Sequence, residues 1–148
     1  MTLLRTRHGM GDSTKLISAR IQYKYIEFAD KANLMLARLT TKALEMLIHD
    51  IQTDHWPAGV SQRTSAVKST FTYYELDWRG SKHTMLRMRM DLLDYLHMNA
   101  YMVNPAINIA LQVFMDRIKA GTVTQADINR MTKRGYEPYK IDQIKPLI

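Results

Sequence analysis

The 148-residue sequence contains no cysteine, which excludes disulfides and every cysteine-ligated metal or iron–sulfur site. A cysteine-free chain suits a reducing interior, so a cytoplasmic location is the expectation. No run of about 18 uninterrupted apolar residues occurs, and no transmembrane helix or membrane partner is expected. The opening M-T-L-L-R-T-R-H-G-M-G-D has no apolar core of about 7 to 15 residues, so no secretory signal is expected there. Also missing are G-x-x-x-x-G-K-[ST], G-x-G-x-x-G, G-x-S-x-G and H-E-x-x-H, the spacings that cradle phosphates, expose a nucleophile or bind zinc. Without a thiol or a clear acid–base pair, the expectation is a binding protein with no cofactor and no catalytic residues.

What is present is an ordinary globular balance, 46% hydrophobic and 24% charged, over a length suited to one domain, 1–148. Net charge is +7 with a pI near 9.7, and its distribution is uneven. Residues 1–28 carry +3 and 56–90 carry +4, whereas 29–55 and 91–120 each carry −1 and 121–148 carry +2. The excess therefore sits in strand-like segments and the tail. An uneven basic charge of this kind favours a polyanionic partner such as RNA or DNA.

Period-two alternation marks the strands. From Leu16 to Phe28, Ile17, Ala19, Ile21, Tyr23 and Tyr25 fall on one face, with Ser18, Arg20, Gln22 and Lys24 on the other. β-Branched and aromatic content favours strand over helix for 16–28. A second alternating stretch, V-K-S-T-F-T-Y-Y-E-L-D-W, is followed by R-G-S and then by K-H-T-M-L-R-M-R-M. This predicts a hairpin of strands 67–78 and 82–90 around Arg79-Gly80-Ser81. Tyr74, Leu76 and Trp78 share one face with Thr84, Leu86, Met88 and Met90. Phe71, Tyr73, Glu75 and Asp77 share the other with His83, Met85, Arg87 and Arg89. Residues 57–66 read as a loop.

Helices are predicted over 30–53, 92–102, 105–119 and 125–134. Asp30, Asp91 and Asn104 are the expected N-caps, with Pro105 at the first helical position. Gly121 is a C-terminal stop, and V-T-Q-A-D-I resembles a capping box with Thr124 as N-cap and Asp127 at N3. Residues 1–12 read as a flexible arm and 136–148 as an extended tail. The fold class expected is α+β: a small antiparallel sheet of about three strands with one face covered by three to four helices.

Three clusters carry chemistry. The outer sheet face gathers Arg20, Lys24, Phe71, Tyr73, Arg87 and Arg89, a pattern in which rings stack on bases while cations follow phosphates. Nucleic acid, single-stranded or irregular, is the expected partner. The competing reading is that Glu75 and Asp77 neutralise Arg87 and Arg89, or that the rings form an interface between copies. Eleven methionines, Met85, Met88, Met90, Met98 and Met102 among them, suit either a core or an oligomer interface. An assembly component or protein inhibitor built on that face or segment is the second expectation.

The second cluster is H-D-I-Q-T-D-H at 49–55. One helical turn separates Glu45 from His49 and Asp50 from Asp54, the spacing of a shared divalent ion. The adjacent His49 and Asp50 resemble the pair of the HD phosphohydrolases, which implies a metal-dependent phosphohydrolase-like enzyme as a third expectation. That family also needs an earlier His and a later Asp on an all-helical scaffold; here the upstream His is His8, and strand intervenes. The third cluster, Asp91, Asp94 and His97, has the three-residue spacings of a ligand set but equally of a cap with two solvent-facing neighbours. No metal is therefore expected at either.

Overall fold

In the computed structural model, which describes residues 13–64, 69–73 and 80–148, the alternation begun at the first strand holds for nine residues. β1, Thr14–Gln22, pairs antiparallel with β4, Ser81–Arg89, from Thr14 opposite Arg89 to Gln22 opposite Ser81. Ile17, Ala19 and Ile21 turn toward the core with Thr84, Leu86 and Met88, and Ala19, Ile21 and Met88 are fully buried. The opposite face keeps Leu16, Ser18, Arg20, His83, Met85 and Arg87 exposed, because side chains alternate strictly across a strand. The expected α+β class is borne out: a small antiparallel sheet with helices packed on it.

Strand 16–28 is shorter than expected. At Tyr23 the backbone turns directly into helix α1, Tyr23–Lys31. Tyr25, Phe28, Ala29 and Ala32 then fall at helical spacing and are buried, which outweighs the local strand propensity of the tyrosines. Helix 30–53 likewise divides. Asn33 adopts a left-handed φ of 56°, a conformation its short polar side chain tolerates. Around it the turn pairs with the end of a later helix, residues 125–131, through Met35 N–H to Met131 O at 2.8 Å and Lys133 N–H to Asn33 O at 2.8 Å. α2, Leu36–Gln52, buries Leu39, Ala43, Leu44, Leu47, Ile48 and Ile51 along one stripe. Each of the leucines and isoleucines contributes about 1.5–3 kcal/mol by leaving water.

Of the expected hairpin of 67–78 with 82–90, residues 67–68 and 74–79 lie outside the described residues, and the described part, 69–73, pairs with another strand. β3, Ser69–Tyr73, pairs with β2, Val60–Thr64, from Val60 opposite Tyr73 to Thr64 opposite Ser69, while β4 pairs with β1. Residues 57–66, read as a loop, therefore hold a strand that the polar sequence V-S-Q-R-T concealed. The side chains of 64–79 and the backbone of 65–68 and 74–79 lie outside the described residues, as does the arm 1–12.

α3, Met90–Met98, follows β4 without a loop, its N-cap being Arg89 rather than Asp91. α4, Val103–Ala120, is the central helix, with ten buried residues. It starts before Asn104-Pro105, so the expected cap is also corrected: Met102 is N-cap, and the Asn104 amide is engaged elsewhere. Gly121 ends α4 at φ 80°, as expected. α5, Gln125–Met131, carries the expected cap, Thr124 Oγ1 accepting from Asp127 N–H at 3.2 Å. The tail is not extended throughout. α6, Ile141–Ile144, and a 3-10 turn, Lys145–Leu147, fold back on the core. Ile144 is fully buried there, and Gln125 clamps the approach by donating to Tyr139 O at 2.8 Å and accepting from Ile141 N–H at 3.0 Å.

One contact decides how the sheet meets the helices. Asn108 on α4 is fully buried and faces the backbone of β1. Its Oδ1 accepts from Gln22 N–H at 2.9 Å, and its Nδ2 donates to Arg20 O at 2.7 Å and to Asn104 O at 2.8 Å. Asn104 Oδ1 accepts from Arg20 N–H at 3.0 Å. Two amides one helical turn apart thus imitate a neighbouring strand, satisfying groups that would otherwise be buried without partners.

Candidate nucleic-acid interface

Two of the six expected site residues stand on the exposed face of the β1–β4 ribbon. Arg20 is opposite His83 and Arg87 is opposite Leu16, so the two lie four rungs apart, roughly 13 Å. Arg20 Nε donates to Ser81 Oγ at 2.7 Å, which pins the guanidinium onto the face. Arg87 is exposed and, among the described residues, makes no hydrogen bond or ion pair. Leu16 beside Arg87 and Met85 one rung nearer Arg20 are 50% and 60% exposed, an apolar strip on which a flat ring can lie.

Arg89 has left that face. Its Nε and Nη2 donate to Asp91 at 3.0 and 2.7 Å, and its Nη1 donates to Glu45 on α2. The bond to Asp91, followed by that to Glu45, holds the guanidinium above its ordinary pKa despite the opposing effect of burial. The neutralisation weighed for Glu75 and Asp77 is thus supplied to Arg89 by two other carboxylates. Lys24 departs too: it lies on α1, with its ammonium 5.1 Å from the Tyr25 ring centroid. Phe71 and Tyr73 belong to β3, opposite Gln62 and Val60, and their side chains are outside the described residues.

What joins Arg87 instead comes from helices. β4, α2 and α5 enclose a recess of about 390 Å³ walled by Arg38, Lys42, Arg87 and Arg130, with Glu45 and Asp127 as its carboxylates. Arg38 spends one nitrogen on main-chain oxygens, Nη1 donating to Arg130 O at 3.2 Å and to Thr132 O at 3.4 Å. Lys42 Nζ stands 3.7 Å from Asp127 and 3.9 Å from Glu45, and Arg130 Nη2 donates to Asp127 at 2.6 Å. Burial alone would push the Asp127 carboxyl up; the bond from Arg130, the charge of Lys42 and the bond with Thr124 outweigh it and hold it below the usual range. Both carboxylates are therefore committed, Glu45 to Arg89 as well as to Lys42, and the recess stays positive. An electropositive concavity with unspent guanidinium N–H groups is suited to phosphate oxygens.

Arg38, Lys42 and Arg130 were not expected. The i,i+4 spacing of Arg38 and Lys42 marks them as one polar stripe of α2, but nothing local to the sequence says that β4 and α5 close over it.

The metal candidates are taken apart by the same ion pairs. Asp50 accepts from Arg117 on α4 and Glu45 from Arg89. α2 ends at Gln52, and Asp54 has a left-handed φ of 56°, so Asp54 is not one helical turn above Asp50. Asp91 belongs to Arg89, while Asp94 and His97 line a different groove beside β1. Among the described residues no three His, Asp or Glu side chains are grouped to hold a metal ion, and no described helix is long and apolar enough to cross a membrane. Searches of family models, curated proteins and solved structures return no match to this chain.

Proposed function

We propose that this protein binds nucleic acid, single-stranded or irregular, along the exposed ribbon face and into the basic recess beside it. The observation that carries this reading is Arg87, an exposed guanidinium without a carboxylate partner among the described residues, standing where three further cations converge. A phosphodiester strand crossing from Arg20 to Arg87 sets its bases over Leu16 and Met85 and one phosphate in the recess. Ring stacking and phosphate neutralisation need no base-specific contact, so little sequence preference follows.

The test is fluorescence anisotropy of a labelled 12-nucleotide single strand across a salt series. Log affinity should fall linearly with log salt, by about 0.7 per phosphate neutralised, and R87A should flatten that slope by about one contact. No binding at low salt, or an R87A–R38A double variant binding like the native protein, would falsify the reading.

The exposed Leu16 and Met85 pair also favours a second reading, in which this face joins two copies of the chain. Light scattering over a concentration series separates the two: a mass that doubles with concentration, and falls back in a Met85→Lys variant, supports the dimer.

A further inference from the structure

A second concavity, about 800 Å³, opens on the far side of β1 from β4, floored by Ile17 and walled by Leu93, Tyr101 and Val103. It is the larger of the two recesses and carries little net charge, with Lys15 set against Asp94. Its distinguishing feature is backbone. Because Arg20 N–H, Arg20 O and Gln22 N–H point away from β4 to the asparagines of α4, and because the β1–β4 register runs without a break, Leu16 and Ser18 also turn their N–H and C=O groups away from β4. The edge of β1 is thus sealed at residues 20–22 by two amides that imitate a strand and, among the described residues, has no partner at residues 16–18, where the groove begins.

We propose that this groove docks an extended peptide segment of an acidic partner protein, which adds to β1 as a further strand at Leu16 and Ser18. Only an extended chain matches a row of alternating donors and acceptors along a strand edge. The alternation then assigns the side chains. The peptide residue beside Ile17 points into the groove and is apolar, while its two neighbours share the outer face with Arg20 and are acidic. Charge selects against a second copy as the occupant, since each copy carries +7 and like net charges repel. This proposal does not rest on nucleic-acid binding: both would draw on Arg20 and Leu16 of the ribbon face, but the groove and the β1 edge amides serve the peptide alone.

The probe is a capped seven-residue peptide, Glu-Thr-Glu-Val-Glu-Thr-Glu, titrated into the full chain while amide hydrogen exchange is followed residue by residue. At saturation the Leu16 and Ser18 amides should exchange about tenfold more slowly or less still, as ladder hydrogen bonds protect them. The same peptide N-methylated at the two glutamates flanking valine should give no protection, since it loses the donors that face β1. A Val103→Asp variant, with unchanged circular dichroism, should bind the parent peptide at least about fivefold more weakly. Equal protection by both peptides, or none by either, overturns the proposal. So does slow exchange at Leu16 and Ser18 before peptide is added: if independent of concentration, the chain covers its own edge, and if dependent, a second copy does.

Discussion

The two recesses flanking the β1–β4 ribbon are made from the same two strands yet offer opposite chemistry. Beside β4, four cations outnumber two carboxylates that are already shared among arginines and a lysine, and the walls are charged side chains. Beside β1, the walls mix apolar side chains with one lysine, one aspartate and one histidine, and the strand edge adds main-chain amides. The difference comes from which helix reaches each edge. α2 and α5 bring polar stripes to β4, whereas the start of α4 brings two asparagines that reach only the last rungs of β1. A two-stranded ribbon has two edges to protect, and here one is guarded by charge and the other by amides that stop partway.

The largest effect should come from breaking the amide seal. Asn108→Ala leaves Gln22 N–H and Arg20 O buried without partners, and loss of these bonds should destabilise the fold by about 2–4 kcal/mol in urea denaturation. Asn104 is more exposed, so Asn104→Ala should cost only about 0.5–1 kcal/mol. Equal costs would show that the seal is not centred on Asn108.

Next in size is charge reversal at the other edge. Arg87→Glu should weaken oligonucleotide binding by about tenfold or more at low salt, with stability changed by no more than about 0.5 kcal/mol. Protection of Leu16 and Ser18 by the acidic peptide should persist in that variant, and a parallel loss would mean that the two recesses act as one.

Arg89→Ala should behave in the reverse way. It removes the guanidinium that bridges the half-buried carboxylates of Glu45 and Asp91, which should cost about 1–3 kcal/mol of stability, yet affinity for the oligonucleotide should change less than with R87A because the native guanidinium is already neutralised. A larger loss of affinity than for R87A would place Arg89 back in the interface.

The smallest effect is expected at Asp127. Its carboxyl titrates below the ordinary value of 3.8, so the stability it supplies is complete above that value and is lost as pH falls through the lower, folded value. Acid denaturation of Asp127→Asn should lack that component. At neutral pH the variant should bind the oligonucleotide a few-fold more tightly, since the recess loses a competing carboxylate; unchanged affinity would show that Asp127 lies outside the phosphate path.

How much of this was legible in the chain depends on the range of each signal. The alternation of residues 16–22 and 82–89 was legible, as were the stripes of α2 and α4, the Thr124 cap and the Gly121 stop, because each is settled within a few residues. Strand 16–28 was overrun into α1 because Tyr23 and Tyr25 fit an alternating pattern as well as a helical one. Of the expected 67–90 hairpin, residues 69–73 pair with β2 instead, because a glycine-bearing turn between two alternating runs is a local signal that cannot name the partner strand. Of the site, Arg20 and Arg87 were legible as outward residues of basic strands. Arg89, with the same parity, was lost to Glu45 and Asp91, and Arg38, Lys42 and Arg130 were missed because their meeting point lies between elements far apart in the chain.

Composition and periodicity alone therefore determined the α+β class, the outward face of each paired strand and the basic excess of the strand-like segments. Only the tertiary structure decided which strands pair, which arginines keep their charge available and which stretch of the β1 edge stays open. The physical reason is that side-chain alternation and helical stripes are enforced by neighbours in sequence, while an ion pair such as Arg89 with Glu45 or a seal such as Asn108 on Gln22 exists only once residues 44 and 86 positions apart have been brought together.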